Sequence, residues 1–530
     1  MSSRHLVRQA LVIAVTVALA CTFAGRPAAA RAADTSVGRG LDYLHACQNS
    51  DGGFAEKGAA SSDAQTAWAM VAIAAAGENS DAWTRGGKTP AEFLAGQSSH
   101  WKATTDLART TLAVVAAGKN PRSFGGIDLV GAMQAQVQDR AADGDQIGPY
   151  VNSHAWAMLA LRAAGVTVTD REIHWLLSQQ GSDGGWGWAP GVASDTNDTA
   201  AAVQALVAVG QSPSSAGMTR ALSYLRARQT ADGGFAYAGG SASDADSTAW
   251  VTQAFVAAGQ DLASWRRGGT GPAERLRALQ SADGSVRYSA SQVTNPMLVT
   301  AQVIPAFAAR ACPVAHPSPA KTPSPWLPSM TAEWPAPGAT VAWPSGSTLR
   351  FTLADAAGTG VAPSGVSVRV DGAAKSPAVS GTAVTVSAGA LTTGTHSATV
   401  VLTDRAGNVA TAATWTFTVV PPGVAAPVAT TASAAKAAAA AATAAGVPSG
   451  MSAGPGAPSA ATAAGGPESG DSSTKPVAAE AAGAASGAPF GPGSAASGAS
   501  RAGLVVSAIG VLVALAIGLA LAVLRVRGRL

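Results

Sequence analysis

Two short acidic segments offer the clearest chemistry in this chain. Asp195-Thr-Asn-Asp198-Thr-Ala200 and Asp244-Ala-Asp246-Ser-Thr-Ala249 each set two carboxylates a few residues apart. Carboxylates held close together split their pKa values, and the one that stays protonated can donate a proton. The same residues suit the start of a helix, where an acidic oxygen accepts from free backbone N–H groups. Both readings stand for Asp198, Asp244 and Asp246, the candidate catalytic acids. Metal chemistry has thinner support. His45, His100, His154, His174, His316 and His396 show no ligand spacing, and Cys47 and Cys312 stand alone in the mature chain. A zinc site needs such side chains grouped. The expectation is no metal and no cofactor.

The elements that must position these acids repeat. YLHACQNSDGGF (Tyr43 to Phe54), WLLSQQGSDGGW (Trp175 to Trp186) and YLRARQTADGGF (Tyr224 to Phe235) are copies of one unit, and RLRALQSADGSV (Arg275 to Val286) is a degraded fourth. Gln48 to Gln97, Gln180 to Gln229 and Gln229 to Gln280 are separated by 49, 49 and 51 residues. Each unit reads as a helix ending in Gln, a Gly-and-aromatic turn, and a second apolar helix. The second helices end at Gly77, Gly118, Gly165, Gly210, Gly259 and Arg310, which makes six units. A repeat of this length cannot bury its own apolar face and must stack on its neighbours. Stretches such as Ala67-Trp-Ala-Met-Val-Ala-Ile-Ala74 are apolar nearly all round, as expected of helices packed on both sides. Six pairs can curl until the last meets the first, as a closed double ring. Asp-Gly-Gly supplies the positive φ of the turn. The Gln amides and turn aromatics are expected to staple repeat to repeat.

In such a ring the N-termini of the second helices gather at one mouth. They begin near Asp63, Thr105, Asn152, Asp195, Asp244 and Asn295. Asp63, Trp68, Asn152, His154, Trp156, Asp195, Asn197, Asp246 and Trp250 are therefore the candidate ligand contacts, with Tyr150, Trp186, Trp188 and Tyr237 on nearby turns. Aromatic walls with a few polar groups describe a ligand pocket. The competing readings are a bore filled by its own side chains and, for His154, a local bond. Ring closure also brings the end of the first helix near the exit of the last, so Cys47 and Cys312 are expected to form a disulfide in an oxidising compartment, with two buried free thiols as the alternative.

The remaining sequence places the ring outside a cell. Residues 1–33 carry Arg4, Arg8, an apolar run from Leu11 to Ala20 and an A-x-A exit, the pattern of a secretory signal peptide; lipid attachment at Cys21 is left open. The toroid is expected over 34–312, a Pro-rich linker over 313–330, a small β-sandwich of short alternating runs over 331–420, and an Ala/Gly/Ser/Pro disordered stalk over 421–503. Residues 504–524 are apolar and long enough to span a bilayer, and Arg525, Arg527 and Arg529 follow in a cytoplasmic tail, 525–530. The net charge of +4 is partly contributed by these arginines and the leader, so nucleic acid is not an expected partner. The expected state is a monomer, held to the cell membrane, that meets an extracellular small molecule or surface partner.

Trp175, Leu176, Gln180, Gly184 and Trp186 match in full the QW motif of the α/α-toroid superfamily, which the chain resembles over Gly40 to Arg310. That superfamily includes squalene and triterpene cyclases, prenyltransferase β-subunits and cobalamin carriers, with repeats of the prenyltransferase and squalene oxidase type. The resemblance implies an (α/α)6 toroid. It implies activity much less, since fold alone does not carry function. Cyclases of the group protonate substrate with an Asp in D-x-D-D-T-A. Here that position is Asn197 in the fourth repeat, where an amide cannot be the acid; the fifth repeat keeps Asp246 but has Ser247 beside it. The zinc-binding D-x-C of protein prenyltransferases and the Cys-Gly-Glu-Gln of thioester proteins have no counterpart. Gly394 to Asn408 with Thr414 to Val419 resembles bacterial immunoglobulin-like surface domains. The expected function is binding without catalysis by a membrane-anchored surface protein. The alternative is an extracytoplasmic terpene-cyclase-like enzyme using the acids at the mouth.

Overall fold

The computed structural model describes residues 35–323, 326–344, 346–355 and 358–421. The expected signal peptide, Cys21, nearly all of the stalk, the membrane segment and the tail lie outside the described residues. Among the described residues, no helix is long and apolar enough to cross a membrane.

Among the described residues, twelve α-helices alternate between an outer and an inner ring. The outer helices are α1 (Thr35–Cys47), α3 (Pro90–Ala95), α5 (Leu129–Gln134), α7 (Asp170–Ser178), α9 (Ala216–Arg228) and α11 (Pro272–Leu279). The inner ones are α2 (Asp63–Ala75), α4 (Thr104–Ala116), α6 (Val151–Ala163), α8 (Thr196–Ala208), α10 (Ala245–Ala257) and α12 (Pro296–Phe307). Each inner helix packs on the next, and α12 packs on α2, so the ring closes. Ala-rich faces permit this close approach. The sequence sets both ends of each inner helix. Ser62, Asp195 and Asp244 cap three of the starts by accepting a backbone N–H. Gly77, Gly118, Gly165, Gly210 and Gly259 end five helices at positive φ; in the sixth repeat Ala309 takes the same conformation at φ 51°.

The repeat glutamines hold this ring together. The Nε2 atoms of Gln48, Gln180, Gln229 and Gln280 each donate to a turn carbonyl in their own repeat and to a carbonyl of the next: Trp83, Gly217, Trp265 and Ser36 respectively. The Gln280–Ser36 bond, 2.9 Å, joins the sixth repeat to the first. Glu56 adds a second closure by accepting the N–H groups of Met297 and Leu298 at the start of α12. Gly284 faces the Arg39 carbonyl so closely that a Cβ would stand 2.0 Å from it. The turn aromatics Phe54, Trp186 and Phe235 are fully buried. The N–H of each, and of Val286, donates to a threonine Oγ1 on the following inner helix: Thr66, Thr199, Thr248 or Thr300.

Repeats two and three depart from this scheme. Their outer helices α3 and α5 have six residues each. Gln97 only precedes a 3-10 turn, and a short hairpin of β1 (Val137–Asp139) and β2 (Asp145–Ile147) leads into α6.

After α12 the chain turns back over the C-terminal ends of the inner helices. The Cys312 N–H donates to Gln204 of α8 at 2.9 Å, Val314 is buried in the ring's core, His316 meets the Ala116 carbonyl of α4, and Lys321 donates to the Ala76 carbonyl beyond α2. This is where the disulfide expectation fails. Cys47 and Cys312 are both free. Cys47 ends an outer helix and packs among Leu41, Tyr43 and Phe54, whereas Cys312 lies inside the inner ring beside Gln204 and Gln253. Burial pushes both thiols up to about 12.

The β region follows: β3 (Ser329–Trp334), β4 (Thr340–Ala342), β5 (Thr348–Ala354), β6 (Val361–Val370), β7 (Ala373–Lys375), β8 (Pro377–Ser380), β9 (Ala383–Ser387), β10 (Gly394–Asp404) and β11 (Ala413–Val420). They form two sheets, ordered β4-β11-β10-β6-β7 and β3-β5-β9-β8, antiparallel except for β4 with β11. Alternating residues from both sheets, such as Leu349, Phe351, Val384, Val400 and Phe417, share one apolar core. The β region and the toroid belong to one compact unit.

Candidate functional site

Position along the inner helices decides what fills the bore. Trp68, Trp156 and Trp250 each lie five residues after the first residue of α2, α6 and α10. They come from the first, third and fifth repeats, and their rings meet pairwise at 5.0 to 5.6 Å, edge to face. Each such contact is worth about 0.5–1.5 kcal/mol beyond area burial. The three indoles close the bore on themselves, and Trp250 is buried while Trp68 and Trp156 stay half-buried. Below them lie Gln204, Gln253 and the crossing segment. The expected aromatic wall is therefore a plug rather than the lining of a deep cavity. Two shallow concavities of about 300 and about 330 Å³ lie elsewhere, at the ends and outer side of α9 near Arg228 and Arg226.

Toward the N-terminal mouth the acids separate by role. Asp195 accepts the Asp198 N–H at 2.8 Å, and Asp244 accepts the Ser247 N–H at 2.7 Å and its Oγ at 2.9 Å. These two are helix caps. Asp246 is not. It is buried, and its Oδ1 has no protein partner. Burial, with the Asp244 charge beside it, pushes its carboxyl up to about 7. Burial raises Asp244 to about 6 against the opposing bonds from Ser247. Asp198 is raised well above the usual range by burial and then by Asp195. Oδ1 of Asn197 and Oδ1 of Asn152 are likewise buried without a protein partner. An unpaired buried oxygen costs on the order of 1–3 kcal/mol, so their gathering at one mouth calls for an explanation.

The other sequence candidates resolve individually. Asp63 stays partly exposed, 3.9 Å from His100. His154 is fully buried: Nδ1 accepts the Ile147 N–H at 2.8 Å and Nε2 lies 3.0 Å from the Glu172 carbonyl. Burial lowers its pKa to about 4, so the ring is neutral and ties the hairpin to α7. Trp186 belongs to the core, its indole N–H donating to Leu176. Tyr150, Trp188 and Tyr237 remain exposed; the Trp188 carbonyl accepts the Asn152 N–H and the Tyr237 carbonyl accepts the Thr196 N–H. These aromatics thus flank the starts of α6 and α8. Arg109, five residues into α4, pairs with Asp106 at 2.7 Å. Sequence reasoning did not single out Arg109 as a site residue, although its offset from the helix start equals that of the three tryptophans.

The sequence profile of the prenyltransferase alpha-alpha toroid domain matches residues 7–95 and 146–292. The helical region has the fold of that domain. No curated protein matches the chain. Among solved structures, the chain is similar to a protein from Actinoplanes, with 18% identity, TM-score 0.40 and coverage of 52% of this chain and 99% of the other. A type II terpene cyclase from Scytonema, with geranylgeranyl dihydroxybenzoate as its substrate, shows 14% identity and TM-score 0.40, covering 52% of this chain and 96% of its own. An ent-copalyl diphosphate synthase from Streptomyces platensis shows 16% identity and TM-score 0.31 over 47% of this chain and 50% of its own. Likeness of this degree says nothing about chemistry.

Proposed function

We propose that the toroid binds an extracellular ligand or partner at its N-terminal mouth, without catalysis, as part of a surface protein. In this reading residues 1–33 direct export, residues 504–524 anchor the chain, and the β region is an immunoglobulin-like spacer. The observation that carries the binding role is the tryptophan plug. Three indoles in mutual contact leave no room at the axis for a folded polyprenyl chain. Toward the mouth, oxygens of Asp246, Asn197 and Asn152 without a protein partner could accept bonds from a ligand that opens the rim, and Tyr150, Trp188 and Tyr237 can stack on it. A ligand that donates hydrogen bonds and presents one flat face suits this set.

One observation favours a second reading. A carboxyl raised to about 7 and left without a protein partner keeps about half of its molecules protonated at neutral pH, the state a proton-donating cyclase residue requires. Its position matches the proton-donating Asp of the cyclase motif. A protonation step would place the proton of Asp246 on the substrate alkene.

Native mass spectrometry of the full chain, with a squalene-analogue turnover assay on the same sample, separates the readings. A retained small-molecule mass without turnover supports binding. Turnover by the wild type that disappears in Asp246→Asn overturns it. An empty ring without turnover also overturns it, leaving the ring as a rigid spacer.

A further inference from the structure

We propose that Asp42, Asp355, Asp404 and the side-chain oxygen of Asn408 form a site for a hard divalent cation of the calcium type, shared between the toroid and the β region. Asp42 lies on α1, Asp355 follows β5, and Asp404 ends β10. One carboxylate oxygen from each lies within 4.8 Å of those of the other two. Asp42 is fully buried and Asp404 is 5% exposed. The basic side chains at this seam direct bonds elsewhere: Lys57 donates to the Ala406 carbonyl and Arg405 to that of Thr359.

Asn408 is the independent sign of a ligand. It is 1% exposed, and its amide is aimed into the cluster. Nδ2 stands 2.8 Å from Oδ1 of Asp42 and 2.9 Å from Oδ2 of Asp404, while its own Oδ1 has no protein partner. A half turn of the amide exchanges the two ends. The nitrogen faces the carboxylates when they are alone, and the oxygen faces a cation when one is among them. Without a cation, three carboxylates held this close together repel one another.

The donor set selects the ion. Three carboxylates and an amide are all oxygen, with no His or Cys among them, which suits calcium or magnesium and not zinc. Ligands from three separate segments fit the irregular coordination of calcium better than the strict octahedron of magnesium. The consequence is mechanical. The ion joins the first repeat to the β region, so it sets how firmly the ring is held on its support.

The test uses the full chain stripped with EDTA, titrated calorimetrically with CaCl2 and in parallel with MgCl2, and melted with and without each. The expected result is one Ca2+ per chain, a raised Tm, and at least tenfold weaker binding in Asp404→Asn and Asp355→Asn, with Asp170→Asn unchanged. Asp42→Asn separates a metal ligand from a merely structural carboxylate. In EDTA it should melt at or above the wild type, because a repulsion is gone, yet gain nothing from Ca2+. Absence of Ca2+ binding by the wild type, preference for Mg2+, or equal Ca2+ effects in all variants would each overturn the proposal.

Discussion

The two mouths of the ring are built from the same six helices and treated in opposite ways. At the C-terminal mouth the chain covers itself: Cys312 and Lys321 donate to groups of α8 and of the residue after α2, and His316 meets the end of α4. At the N-terminal mouth Asp246, Asn197 and Asn152 each keep a buried oxygen without a protein partner. Thr111 Oγ1 and Gln302 Oε1, further along the inner helices, are unpaired as well, so what separates the two rims is the segment that crosses the C-terminal one. In the proposed reading the N-terminal rim is the one that faces a partner, with the tryptophan triad as the floor between the two.

The largest effect should come from breaking that floor. Trp250→Ala removes the buried one of the three indoles in contact, and a buried Trp-to-Ala change costs about 3–5 kcal/mol where the site cannot collapse. Chemical denaturation of the variant should show a loss in that range, with a smaller loss for the half-buried Trp68 and Trp156. A loss below about 1 kcal/mol would mean that the indoles are mobile and that the bore opens, which returns the cavity a cyclase needs.

The second effect belongs to the open rim and depends on pH. The Asp246 carboxyl has a folded value of about 7 against the ordinary 3.8. Between those values the folded chain holds a proton that the unfolded chain has released. Stability from this group therefore falls as pH rises from about 4 to about 7 and is lowest above that. Asp246→Asn removes the slope. The variant should match the wild type near pH 4 and exceed it at pH 8 by up to about 4 kcal/mol, the full conversion of that difference. His154 titrates in the opposite sense: with a folded value of about 4, its contribution is full above pH 6.5 and is lost as pH falls toward 4. The measurement is therefore the difference between variant and wild type at each pH, which cancels His154. A variant that is less stable at pH 8 would show that Asp246 is charged and paired.

What could be read in the sequence was local and periodic. Gln48, Gln180, Gln229 and Gln280 bond from repeat to repeat because each donates over a fixed offset to a turn four residues on, and that offset is visible in the letters. The six helix pairs and the positive-φ glycines follow from the same regularity. Radial direction was not visible. That Trp68, Trp156 and Trp250 meet at the axis depends on how each inner helix is rotated, though their equal offset from the helix start in alternate repeats was a signal that could have been read. The crossing segment was hidden for another reason: its prolines end the helix pattern but say nothing of where an extended chain lies. The Asp42–Asp404 seam pairs residues more than three hundred positions apart, and no local pattern announces it.

The smallest expected effect concerns the covered mouth and the thiols beside it. Cys47 lies on the outer wall and Cys312 inside the ring, both buried and free. With their thiols pushed up to about 12, almost no thiolate exists at pH 8, and burial excludes a reagent as well. Iodoacetamide should therefore leave Cys47 and Cys312 unmodified in the native protein and modify both once the chain is unfolded without reductant. Dithiothreitol should not move the Tm, since there is no bond for it to cut. The contrast between the mouths sharpens this expectation. Cys312 reports whether the crossing segment stays in place, so its slow alkylation under native conditions measures opening of the covered mouth, while Cys47 reports only the outer wall. If Cys312 reacts in the native protein as fast as in the unfolded chain, the segment is not a cover. Both mouths would then be open, and the ring would be a passage with a tryptophan constriction in its middle.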